Sequence, residues 1–186
     1  MRPAALLLVF AVCRAPVAEP GPAGPGGPDP VARLEQTAAE SARAGRFTDS
    51  NALYARLAKL QPMSPARCTW EIAVVSNTLV IGDKRAQAAE LRRLGALDRA
   101  FSRAAAPSAA QKQACHREFH DILAVMVRVW NKELTASCTA FSWRNWPYLE
   151  ALLREFLRDF PDDAQAPEAR RQLEDLLVRE RAKRGG

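Results

Sequence analysis

Residues 44–62 read AGRFTDSNALYARLAKLQP, and this stretch decides the fold. Gly45 stands where a chain can turn tightly, since a residue without a Cβ enters left-handed backbone at no steric cost. Phe47 follows, placed to drop a ring between two helices, and Tyr54, Leu57 and Leu60 continue at helical spacing. Pro62 then stops the helix, because it has no N–H to give and crowds the residue before it. The stretch therefore predicts the second helix of a helical hairpin, with its partner upstream over roughly Val31 to Ala44.

The same pattern returns in residues 148–177, YLEALLREFLRDFPDDAQAPEARRQLEDLL. Tyr148, Leu149, Leu152, Leu153, Phe156, Leu157 and Phe160 share one helical stripe before Pro161 breaks it. A new helix begins near Pro167, a residue tolerated in a first turn, with Ala169, Leu173, Leu176 and Leu177 as its core face. Pro62 and Pro161 stand 99 positions apart, close to three periods of about 34 residues, which leaves room for two more helix pairs.

The spacing of Gly45, Phe47, Tyr54 and Pro62 resembles the second helix of a tetratricopeptide repeat (TPR), and all four positions match. The first helix departs from that family, with Arg33, Leu34, Thr37 and Ala38 replacing its usual aromatic, leucine and glycine. The FPDD…APEA pattern of residues 160–169 is similar to repeats of bacterial envelope proteins of the same class. CTWEIAVVSNTLVIGDKRAQAAELRRL and LAVMVRVWNKEL are similar to linking regions of large repeat proteins of myxobacteria, some associated with gliding motility. The resemblance implies an all-α fold, an α-solenoid of about three stacked helix pairs plus a C-terminal capping helix, whose concave wall holds a protein or peptide.

Between the two anchors a third helix is expected from Ala66 to Ile81, carrying Trp70, Ala73, Val74 and Leu79. Gly82-Asp83 supplies its stop and the next start. A fourth, from Lys84, presents Leu91, Leu94, Leu97 and Phe101 and ends before Pro107-Ser108. A fifth, of about 25 residues from near Ala109, keeps Phe119, Ile122, Leu123, Met126, Val129, Trp130 and Leu134 on one broad face. The connection SCTAFSWRNWP, residues 137–147, holds Trp143 and Trp146, which either pin a loop to the core or stand ready for a partner.

A chain of 186 residues with 48% hydrophobic content buries one core. Residues 1–18 read as an export signal: Arg2 precedes an apolar run, Ala4 to Cys13, shorter than the roughly 20 residues a membrane span needs. Residues 19–30 form a Pro/Gly-rich linker, 31–183 the helical repeat domain and 184–186 a tail. The expected location is exported, periplasmic or outer-membrane associated, with membrane association only if Cys13 is lipidated. Val12 fits a lipoprotein signal poorly; ordinary cleavage near Ala15 or Ala18 is a second reading, and a misassigned start or a retained anchor a third. The net charge of +6 falls to +4 without the leader, and +3 of that lies from Arg179 onward. The body, near +1, carries no phosphate-tracking stripe, so no nucleic acid partner is expected.

Export would bring Cys68, Cys115 and Cys138 into an oxidising compartment, where an odd count permits at most one bridge. Cys68 and Cys115 each lie near the start of a predicted helix, and parallel placement of those helices makes them the disulfide candidate. The other reading is three small buried hydrophobes. HREFH, His116 to His120, puts two histidines on one helix face, a weak metal candidate to which Cys115 could add a ligand. Arg117 occupies the place where a zinc protease needs its glutamate, and Glu118 points about 200° away from His116. GPAGPGG is no phosphate loop, since prolines interrupt it, and no Gly-x-Ser-x-Gly elbow is present. Asp162-Asp163 is expected to be solvated in a turn. No cofactor and no enzymatic activity are expected.

The expected function is a non-catalytic protein–protein interaction scaffold or assembly module of the bacterial cell envelope. The alternative is a small helical metal- or ligand-binding protein using His116 and His120, with catalytic ability. A third reading docks the chain on a larger machine through Trp143 and Trp146.

Overall fold

A computed structural model describes residues 29–136 and 143–184. Among the described residues it is helical, without strands: α1 Pro30–Arg43, α2 Phe47–Leu60, α3 Arg67–Ile81, α4 Lys84–Arg103, α5 Ala109–Ala136, a 3₁₀ turn Trp143–Asn145, α6 Trp146–Asp159 and α7 Ala166–Arg184. The all-α expectation holds, and α5, at 28 residues, is longer than expected. Cys13 and Cys138 lie outside the described residues.

The helix ends follow from local chemistry. Asp29 caps α1 by accepting from the Val31 N–H, and Gly45, at φ +75°, reverses the chain into α2. A Cβ on Gly82 would come within 2.6 Å of the Thr78 carbonyl oxygen, so only glycine allows this exit from α3. Asp83 then caps α4 through the Ala86 N–H at 2.8 Å. Ser108 and Gln111 form a reciprocal capping box at the start of α5.

Successive helices alternate in direction, as contacts near their ends show. The first-turn Trp70 of α3 donates to Glu35 early in α1, and Cys68 in α3 is bonded to Cys115 in the second turn of α5. Lys84 opens α4 and meets Glu133 late in α5 at 2.6 Å, so α4 runs against α5. Arg99 late in α4 reaches Asp159 at the end of α6, so these two are parallel.

The principal core belongs to α3–α7, with Leu94, Phe119, Trp130, Leu149, Leu153 and Phe156 almost fully buried in it. The hairpin of α1 and α2 stands outside this cluster and buries mainly Ala38, Ser41, Ser50 and Leu57. Its seam with α3 is largely polar: the buried Asn77 side-chain amide donates to Ser50 Oγ at 3.0 Å and Asn51 Oδ1 at 2.8 Å. Leu60, expected on the core stripe, is 57% exposed. Steps of three residues drift about 60° around a helix, so Leu60 has rotated about 120° from Tyr54.

Gly95 sets the closest approach in the core. A Cβ there would meet Glu155 Oε1 at 2.5 Å and Phe119 Cζ at 2.7 Å, which is why α4 can lie tightly against both α5 and α6. Glu155 and Asp159, nearly buried, share Arg99 across this seam and Arg158 on their own helix. Two carboxylates this desolvated require such partners.

Candidate binding groove and histidine cluster

His116 and His120 lie one turn apart on α5, and the rings of both pack on Phe160, at 4.9 and 4.8 Å between centroids. His116 Nδ1 is 2.9 Å from Asp98 Oδ2, a carboxylate on α4 that is buried and whose other oxygen has no partner. His120 faces a carboxylate on each side: Nδ1 is 2.9 Å from Asp121 Oδ1, and Nε2 is 2.8 Å from Asp163 Oδ2 in the α6–α7 turn. A neutral imidazole has one N–H, so only the imidazolium donates to both. Burial pulls the His120 pKa down, but the bonds to Asp121 and Asp163 outweigh it and leave the pKa raised. Asp163 moves the opposite way, held down first by the Gln165 backbone N–H and then by His120.

This geometry corrects one expectation and extends another. Cys115 spends its sulfur in the bond to Cys68, so it offers no thiolate beside the histidines. Asp162 and Asp163 lie in the α6–α7 turn as expected, Asp162 exposed and Asp163 partly buried, and Asp163 in addition anchors that turn to α5. No group of three or more His, Cys, Asp and Glu among the described residues is arranged to hold a metal ion. The Asp98–His116 pair can orient an imidazole and accept a proton at Nε2. Among the described residues, however, no hydroxyl or thiol is hydrogen-bonded to His116, and Ser102 Oγ donates to the Asp98 carbonyl instead.

A second site carries no motif in the sequence. α2, α3 and α4 enclose an open groove of about 170 Å³, walled by Ala55, Ala58 and Val74 and bordered by Tyr54, Lys59 and Arg67. At its base the fully buried Glu71 binds Arg93, which also reaches Glu90 at 3.0 Å. Arg67 Nη1 is 3.6 Å from Glu71 Oε2, too far for a hydrogen bond. Burial lowers the Arg67 pKa, Glu71 opposes this, and neighbouring Arg93 adds to it. Burial likewise raises the Tyr54 pKa, with Glu35 adding to the rise and Arg43 opposing it. Arg67 and Glu71 are four apart, a readable helical pair, but nothing in the spacing told that Glu71 would be buried.

The tryptophans of the α5–α6 connection separate. Trp143 is 55% exposed with the Arg144 guanidinium 5.7 Å from its ring, whereas Trp146 packs half-buried against the core. No helix among the described residues is long and apolar enough to cross a membrane. Comparison with protein-family models, curated proteins and solved structures finds no match to this chain.

Proposed function

We propose that this chain is a non-catalytic, TPR-like interaction scaffold of the bacterial cell envelope, an α-solenoid that holds a protein partner in grooves between its helices. The observation that carries this reading is the α2–α3–α4 groove, where three consecutive helices contribute side chains to one open concavity. Stacked helical hairpins leave such surfaces because each pair buries one face against the next. The alternating helix directions, and contacts of α3 with α5 and of α4 with α6, support the stacked arrangement. The Cys68–Cys115 bond supports an oxidising compartment, in keeping with an exported chain.

The test places a photoreactive amino acid at Ala55 or Ala58 in the groove and, as a control, at exposed Val178 on α7. Irradiation of cells exporting the protein should join a defined envelope protein to the groove positions and not to the control. Absence of any protein adduct from the groove, with adducts from the control alone, refutes the groove as the binding face. Turnover of a small substrate by the purified protein refutes the non-catalytic assignment.

A further inference from the structure

We propose that the α2–α3–α4 groove seats a carboxylate side chain of an acidic, partly apolar peptide segment. This rests on the scaffold reading and names the chemistry of the partner. The groove presents donors with capacity to spare: the Tyr54 hydroxyl and the Lys59 ammonium make no hydrogen bond among the described residues, and the Arg67 guanidinium has only a long ion pair, 3.6 Å to Glu71 Oε2. Glu71 is shared, with Oε1 taken by Arg93 and Oε2 facing Arg67 Nη1, so one carboxylate serves two guanidinium groups. A bound group that brings acceptors and negative charge complements these donors. A carboxylate does both, since its two oxygens match the guanidinium fork.

Size and charge narrow the choice. About 170 Å³ admits one side chain, less than the roughly 300 Å³ at which cofactor-sized pockets begin. Ala55, Ala58 and Val74 give it apolar walls, suited to the methylene stem of a glutamate and to an apolar neighbour. Arg43, Lys59, Arg67 and Arg93 stand in or around the groove against Glu35, Glu71 and Glu90, a surplus of one positive charge. One carboxylate neutralises that surplus, whereas a phosphate dianion overshoots it.

The test is fluorescence anisotropy of the full chain with a labelled dodecapeptide of Glu, Leu and Ser, and with the same peptide carrying Gln for Glu. The Glu peptide should bind at least about tenfold tighter at low salt, with the preference shrinking as salt is added. Lys59→Glu, a change at an exposed side chain, and Arg67→Gln should each weaken Glu-peptide binding about tenfold with the far-UV spectrum unchanged. If Arg67→Gln does not fold, Lys59→Glu alone decides. Equal binding of the two peptides, no binding at millimolar concentration, or indifference to Lys59→Glu overturns the proposal. So does a single-stranded oligonucleotide that outcompetes the Glu peptide, or free glutarate that binds as tightly as it does. If the photoreactive groove positions still capture a protein while the peptides fail, the scaffold reading stands and the acidic chemistry falls.

Discussion

The bond between Cys68 and Cys115 closes a loop of 47 residues that contains the rest of α3, all of α4 and the start of α5. In the chain-entropy account a loop of that length restrains the unfolded ensemble by about 4 kcal/mol at 25 °C. Both sulfurs are buried, so replacement by alanine adds a small packing loss, whereas serine would bury an extra hydroxyl and confuse the reading. The perturbation is therefore Cys68→Ala with Cys115→Ala, in a background where Cys13 and Cys138 are also alanine so that no thiol reshuffles. Urea unfolding followed by circular dichroism should show a loss of about 4 kcal/mol. At about 2–4 °C per kcal/mol for a chain of this size, the melting midpoint should fall by about 8–16 °C. The urea slope should steepen, since an unfolded chain freed of its crosslink exposes more surface. A loss below about 1.5 kcal/mol with an unchanged slope would refute the reasoning, because the loop would then not restrain the unfolded state as calculated.

Gly95→Ala gains helix propensity worth about 1 kcal/mol but drives a methyl into Glu155 and Phe119, so thermal melts should show a net destabilisation of about 1–2 kcal/mol. Asn77→Ala removes the amide that ties α3 to Ser50 and Asn51 and should cost about 1–3 kcal/mol in urea titrations. Gly45→Ala meets no neighbour, yet it forces a side chain into left-handed backbone, and calorimetry should record a loss of about 1–2 kcal/mol. The raised His120 pKa contributes stability that is complete below pH 6.5 and is lost as pH rises through the folded-state value. Asp163, lowered, contributes above pH 3.8 and loses its share as pH falls through its own folded-state value. The urea midpoint should accordingly drop between pH 6 and pH 9, by less in His120→Gln than in the parent; an equal drop contradicts the assignment.

Much of the architecture was legible because helix boundaries here are written in local chemistry. Gly45, Pro62, Gly82-Asp83, Pro107-Ser108 and Pro161 each stand at a helix end, and each acts within a few residues of itself. The candidate sites were less legible because their partners are distant in sequence. His116 and His120 are visible as a pair, but Asp98 and Asp163 come from 18 and 43 residues away, one on α4 and the other in the α6–α7 turn. The groove was hidden for a related reason. In the sequence Tyr54 shows only as an aromatic at helical spacing and Arg67 only as one basic residue among many, and it is the packing of α2, α3 and α4 that puts them around one concavity.

Consecutive helices need little besides a short connection and an apolar seam to stay together, since two residues join α3 to α4 and three join α1 to α2. Alternate helices have no such tether, and for several of these pairs a specific cross-tie supplies it. Trp70 to Glu35 ties α3 to α1, the disulfide ties α5 to α3, and Arg99 with Glu155 and Asp159 ties α6 to α4. Arg128 reaches Gln165 at the mouth of α7, beside the His120–Asp163 contact. Hydrophobic burial is non-directional and fixes how much surface is hidden, whereas hydrogen bonds and covalent bonds fix angle and register. The width of the α2–α3–α4 groove depends on the placement of α2 relative to α4, two helices with no connection of their own. That placement is set through α3, by the polar seam of Asn77 on one side and the Glu71–Arg93 pair on the other. The side chains that hold the groove open are thus mostly distinct from the donors that would grip a ligand in it, so scaffold geometry and ligand chemistry can be perturbed separately.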